Sequence, residues 1–298
     1  MMRPIDLNVL DIRYWASDIR PGENMARTKR VSEMSHEEIK SEVKKTYAGV
    51  AKRTSAQPAK SGCCEPSGAT TPVEGESCGC GGSGTQIRLI LGAMGYPVRG
   101  LPDSVIESFA GCGNPVAIAD LKDGETVLDL GSGAGLDVFM AAKKVGETGR
   151  VIGVDMTPEM LEKARANAKK MGASNVEFRQ GDIERLPIQD DSVDAIISNC
   201  VINLAPDKSK VFRESYRVLR PGGRMMISDI VLEKPLTEEA REEVANYTGC
   251  LGGAILEADY LALMREVGFE DVKVVSKWSD GQSASAKIRA VKPKSAKD

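Results

Sequence analysis

The feature that most constrains this chain is the run Val127-Leu-Asp-Leu-Gly-Ser-Gly-Ala-Gly135. An apolar strand passes into a glycine-rich turn, and a helical pattern opens directly at Leu136. Glycines in such a turn let backbone N–H groups approach a ligand closely, and the helix N-terminus that follows favours negative charge. The spacing is G-x-G-x-G. Leu136 stands where a dinucleotide fingerprint has its third glycine, and Asp129 precedes the turn. A chain built around this turn is expected to form an open α/β sheet with its ligand at the carboxyl ends of the strands.

The surrounding pattern agrees. Apolar runs predict strands at 126–130, 150–155, 176–180, 195–199 and 224–230, separated by helical periodicity at 136–145, 158–171 and 208–219. Such alternation implies a parallel sheet with helices on both faces. A helix at 257–267 and strands around 272–277 and 286–291 close the pattern. Upstream, a helix is expected over 103–110, with Pro102 before it and Gly111 ending it. A shorter amphipathic helix, 36–47, carries Ile39, Val43 and Tyr47 on one face, with Ser35 as its N-cap.

Three segments follow from this reading. Residues 1–34 are irregular and polar, and are expected to be a disordered tail or a misplaced start that contributes nothing to the site. Residues 35–84 hold the short helix and then a Gly-, Ser-, Thr-, Pro- and Cys-rich stretch from Ala51, too poor in apolar residues to form a core and so read as a mobile loop. Residues 85–298 form the α/β domain.

Charge is nearly balanced, 40 Lys+Arg against 43 Asp+Glu, so no basic excess marks a nucleic-acid or anionic-membrane partner. No apolar run approaches the ~18 residues of a membrane span, and no secretory signal is visible. A cytoplasmic enzyme is expected. The single histidine, His36, excludes a His-rich zinc site and leaves little room for an imidazole base.

Asp155 ends the second strand, where an acid bonds the two ribose hydroxyls of a nucleoside. Gly181-Asp182-Ile183 follows the third strand, Asp194–Asn199 forms the fourth, and Leu219-Arg-Pro-Gly-Gly-Arg224 precedes the fifth. Together these segments resemble the class I S-adenosylmethionine (SAM)-dependent methyltransferases over roughly Thr126 to the C-terminus. The resemblance implies a Rossmann-like sheet of seven strands, the last two an antiparallel pair. It also implies a SAM site built from Asp129, Gly131, Ser132, Gly133, Gly135, Asp155, Met156, Asp182, Ile183 and Asn199, with Asp182 receiving the adenine amino group.

The cysteines bear on the methyl acceptor. In a reducing compartment, seven cysteines are more often buried residues, metal ligands or reactive thiols than a disulfide framework. Cys200 follows the fourth strand and so should lie at the donor's edge of the sheet. An insertion near 232–256 carries Cys250 in Gly249-Cys-Leu-Gly-Gly253, and Cys112 lies in Gly111-Cys-Gly-Asn-Pro115. A lone cysteine is usually a small core hydrophobe, and that reading weighs evenly for Cys200. Three converging thiolates would suit a soft, three-coordinate ion such as trivalent arsenic, whose lone pair can attack a sulfonium methyl without a general base. Zinc would prefer four ligands.

The blocks GCGNP, SNCVINL and GCLGG, with the Cys63/Cys64 pair upstream, resemble the arsenite methyltransferases. The resemblance implies that Cys112, Cys200 and Cys250 bind arsenic, and that Cys63 and Cys64 assist early binding or the redox cycle. It further implies arsenite or its thiol adducts as substrate, with glutathione or another small thiol and thioredoxin as partners. Two other readings stay open: a C- or O-methyltransferase of the quinone-biosynthesis type, and a non-catalytic thiol-based metalloid binder.

Overall fold

The computed structural model of the chain describes residues 29–52 and 84–294. Cys63, Cys64, Cys78 and Cys80 lie outside the described residues, as do residues 1–28.

Seven strands form one sheet: β1 (Thr126–Leu130), β2 (Arg150–Asp155), β3 (Val176–Gln180), β4 (Val193–Asn199), β5 (Leu219–Leu232), β6 (Glu270–Ser279) and β7 (Ser283–Val291). Their order is β3-β2-β1-β4-β5-β7-β6. The first five run parallel, and β7 pairs antiparallel with both β5 and β6. Side chains alternate between faces along a strand. Val127 accordingly packs into one apolar cluster and Leu128 into the other, as do Ile197 and Ile196.

Nine helices are described: α1 (His36–Lys52), α2 (Gly84–Ala93), α3 (Asp103–Ile106), α4 (Leu136–Val145), α5 (Pro158–Met171), α6 (Lys208–Val218), α7 (Glu238–Glu242), α8 (Val244–Thr248) and α9 (Glu257–Val267). Helices α2 to α5 cover one face of the sheet with Leu91, Ile106, Phe139 and Leu161. Helices α6 and α9 cover the other with Phe212, Tyr260 and Met264. Full burial of each such side chain contributes roughly 1.5–3 kcal/mol.

Chain connections leave β1 toward β2 on one side, while β4 lies on the other. This reversal opens a crevice at the carboxyl ends of β1 and β4, where ligands of open α/β sheets bind. Gly131 and Cys200 each stand one residue beyond those ends.

Several elements differ from the sequence expectation. Helix α3 stops at Ile106 rather than Ala110: the Ser108 hydroxyl donates to the Ser104 carbonyl, and Phe109 turns to meet the Tyr96 ring edge-on at 5.7 Å. Helix α1 runs on to Lys52, because Val50 and Ala51 bury against Ala134 and Met160. The Pro221-Gly222-Gly223 segment is a bulge inside β5. Leu219 pairs with Val193, but the next pair is Arg224 with Ala195.

Residues 29–34, expected to belong to an uninvolved tail, form a 3-10 turn at Val31–Glu33. Ser32 donates to Glu242 through both its N–H and its hydroxyl, each at 2.8 Å, and Val31 and Met34 pack against the apolar cluster that includes Ile39, Val43 and Tyr247. Hydrogen bonding to α7 and an apolar contact, neither readable as periodicity, set this segment in place.

Candidate active site

A cleft lies over the carboxyl ends of β1, β2 and β4. Asp129, Gly131, Ser132, Gly133, Asp155, Met156, Asp182, Ile183 and Asn199, which the family resemblance assigns to a SAM site, all line it. Gly135 is not among its lining residues. It caps α4 at φ 97°, in the left-handed region, where a Cβ would come within 2.8 Å of Phe139. The helix begins directly after it.

The cleft is acidic. Asp155 accepts from the N–H groups of Gly133 at 2.9 Å and Thr157 at 2.8 Å, which fixes the carboxylate at the mouth of the glycine turn. Burial raises its carboxyl above the usual range, against the pull of those bonds. Burial, with Asp137 and Asp155 nearby, holds the Asp129 carboxyl well above its ordinary value. Asp137 is pushed up to about 6 by burial, opposed by bonds from Tyr96 (2.6 Å) and Asn199 (3.0 Å).

This donor set fits SAM, which carries a sulfonium, an ammonium, a ribose diol and an adenine amino group. Acids face cations and hydrogen-bond donors, and the buried Ser132 hydroxyl has no hydrogen-bond partner among the described residues. Asp182 already accepts from Lys40 at 2.6 Å and from the Glu184 N–H at 2.9 Å. Lys40 also reaches Glu184 at 2.7 Å, so α1 closes this end of the cleft with an ion-paired lysine.

The thiols meet beside the cleft, where Cys200 lines it. Asn199, the last residue of β4, accepts from the N–H groups of Cys112 (3.0 Å) and Gly113 (3.3 Å) and donates to the Gly113 carbonyl (2.8 Å). The 111–113 turn is thereby pinned to β4. Gly113 must be glycine, since a Cβ there would collide with the Ser228 hydroxyl. Cys200 sits at φ 56° with its N–H on the Ser228 carbonyl at 2.8 Å.

Cys112 and Cys200 were expected as free ligands. Here they form a disulfide, with Cα atoms 5.8 Å apart, because the Asn199 clamp brings two loops 88 residues apart in sequence into bridging range. Cys250 is free and buried, at φ 70°, and its thiol donates to the Cys200 carbonyl at 2.9 Å. Burial, with the Asp229 carboxylate nearby, raises this thiol far above its usual range. The insertion carrying it is closed at its base by the Leu232 N–H on the Ile255 carbonyl (2.8 Å).

Sequence reasoning missed Asp229, which lies with the sulfurs of Cys112 and Cys200 inside a 4.8 Å cluster. It accepts from Asn203 (2.9 Å), the Ile230 N–H (2.9 Å) and Tyr260 (3.2 Å), and burial pushes it up to about 7. An acid within the apolar run MMISDIVL was the available signal. Lys40 and Tyr47 were also missed as cleft residues, since α1 reads simply as an amphipathic helix.

A methyltransferase domain family matches residues 121–268. The arsenite methyltransferase of Halobacterium salinarum is 46% identical over 249 residues, covering 83% of this chain and 61% of that protein. The arsenite methyltransferase of Aquipseudomonas alcaligenes is 45% identical over 174 residues, covering 56% of this chain and 50% of that one. The chain thus spans between half and about three fifths of the curated relatives it matches. Among solved structures, an arsenic(III) S-adenosylmethionine methyltransferase from Chlamydomonas reinhardtii superimposes with a TM-score of 0.57 at 39% identity, covering 68% of this chain and 74% of its own. Cleft, clamped cysteines and this likeness coincide on the same elements, and the chain belongs to the arsenite methyltransferase family.

Proposed function

We propose that this chain transfers methyl groups from SAM to trivalent arsenic held by the thiolates of Cys112, Cys200 and Cys250. One observation carries the reading: cysteines from three separate segments gather at the carboxyl end of β4, beside a cleft whose acids suit the donor. When bound, SAM supplies an electrophilic methyl on a positively charged sulfur.

The chain's residues divide the remaining work. Asp155 holds the ribose diol and Asp182 takes the adenine amino group, while Asp129 and Asp137 offer acidity to the donor's cationic end. The thiolates are soft ligands that hold arsenic with its lone pair free. No histidine is needed, because the attacking pair carries no proton.

Methylation at a lone pair raises arsenic's formal oxidation state by two. Two arsenic-bound thiolate sulfurs can return those electrons by breaking their bonds to arsenic and closing a disulfide, and the Cys112–Cys200 bond has the form of that product. Reopening it takes two electrons and two protons, supplied by two equivalents of a glutathione-like thiol or by one dithiol such as thioredoxin. Cys63 and Cys64 would pass arsenic or electrons inward. Such chemistry belongs in a reducing compartment, hence the cytoplasm. Among the described residues no helix is long and apolar enough to cross a membrane.

The purified protein with SAM, a dithiol and arsenite is expected to yield methylated arsenic and S-adenosylhomocysteine in matching amounts, read by arsenic speciation. Release of S-adenosylhomocysteine only with a quinone precursor would favour the C- or O-methyltransferase reading instead. Arsenite binding without SAM consumption would favour a non-catalytic metalloid binder.

A further inference from the structure

Helix α1 lies outside the αβ alternation, yet one of its faces forms a wall of the cleft. Lys40, Val43 and Tyr47 all line it. The helix is fastened at both ends of that wall, by Lys40 on Asp182 and Glu184 and by Tyr47 on the Thr248 carbonyl at 3.4 Å. Tyr47 packs in two groups at once, one with Ala134 and Met160 of the cofactor side, the other with Cys200 and Cys250. Its ring packs against the apolar cluster that holds Cys250, two residues beyond the Thr248 carbonyl to which its hydroxyl donates.

We propose that Tyr47 is a positioning residue for arsenic transfer, its hydroxyl holding the arsenic-bound sulfur of Cys250 at the seam between cofactor cleft and thiol pocket. The inference rests on the function proposed above.

In this structure the Cys250 thiol donates to the Cys200 carbonyl at 2.9 Å. A sulfur bonded to arsenic has no hydrogen to give, and the same carbonyl then faces it lone pair to lone pair. The site must offer that sulfur a donor or lose its alignment. Tyr47 has one to offer. Its present acceptor, at 3.4 Å, is a long bond, so turning the hydroxyl to sulfur sacrifices little. Lys40 keeps the helix from moving while it does so. Lys208 is the nearby cation, but its ammonium is directed at the carbonyls of Asn203 and Ala205, each at 3.3 Å.

Tyr47→Phe keeps the ring and removes only the donor. The variant is expected to keep the wild-type melting curve, which shows that it folds. Its kcat/KM for arsenite should fall about ten- to a hundred-fold, the loss carried by kcat. A second readout does not need turnover: the near-ultraviolet absorption of arsenic–sulfur bonds when arsenite is titrated into the reduced protein should be weaker or shifted in Tyr47→Phe. Tyr47→Ala supplies the comparison for packing. Wild-type behaviour of Tyr47→Phe in both readouts, with a defect only in Tyr47→Ala, would make Tyr47 a packing residue and overturn the proposal. Absence of an arsenic–sulfur band in the wild-type protein would instead overturn the function on which it rests.

Discussion

Asp155 and Asp229 show how differently two buried acids declare themselves. Asp155 closes an apolar strand, and its position after VIGV predicts a diol-binding carboxylate; the structure places it against the glycine turn. Asp155→Ala should weaken SAM binding by roughly ten- to a hundred-fold, the worth of about 1.5–3 kcal/mol in hydrogen bonds to a charged acceptor. Titration calorimetry on the folded variant decides this, and unchanged affinity would sink the assignment. Asp229 is hidden inside an apolar strand, and only tertiary packing reveals that Tyr260, Asn203 and two cysteines converge on it. Its carboxyl rises from an ordinary 3.8 to about 7 on folding. The folded chain therefore binds this proton more tightly than the unfolded one. Its contribution to stability is greatest at low pH and falls as pH rises through that window, by at most about 1.4 kcal/mol per pH unit. Lys208, lowered by burial to about 8, acts oppositely, its penalty lifting only as pH climbs from 8 toward 10.5. Melting curves of the oxidised protein should show stability declining from pH 5 to 7. Asp229→Asn, which can still accept from Asn203 and Ile230, should flatten that decline; an identical slope in the variant would contradict the shift.

At the scale of elements, strands and their connecting helices were legible because hydrophobic periodicity and glycine turns are local signals. All five parallel strands and both C-terminal strands fall where the apolar runs lie. Misreadings occur where a distant partner decides. Helix α3 ends early so that Phe109 can reach Tyr96, and α1 extends because α5 offers Met160 to Val50. The start of α1, by contrast, was readable: Ser35 accepts from the Glu38 N–H at 3.3 Å while the Glu38 carboxylate accepts from the Ser35 N–H at 2.8 Å. This reciprocal cap matches the S-x-x-E pattern. Removing it in Ser35→Ala should cost about 1 kcal/mol of helix stability. Hydrogen exchange should then quicken in the first turns of α1 and leave the sheet unaffected. Uniformly faster exchange through β1 and β4 would mean that α1 is not a separately opening unit.

For the whole molecule, the Cys112–Cys200 bond links the turn before β1 to the end of β4 across 88 residues. In the chain-entropy account, closing a loop of this size stabilises the fold by roughly 4–5 kcal/mol. Reduction should lower the melting temperature, and arsenite added to the reduced protein should restore part of the loss, since arsenic would cross-link the same thiols. No recovery would argue against a shared site. That Cys200 and Cys250 lie at one edge of the sheet was readable from their placement after strands, and Cys112 joined them only through the family resemblance; that Cys112 and Cys200 are bonded was not readable, because disulfide pairing depends on Cα distances that only the folded chain sets. The most direct test of the account is methylation of arsenite by Cys200→Ser, with products speciated and SAM affinity measured in parallel. Serine leaves a hard, poorly acidic hydroxyl in place of a soft thiolate, so the account predicts loss of methylated arsenic with SAM binding intact. Wild-type turnover in Cys200→Ser would show that the clustered cysteines do not hold the substrate.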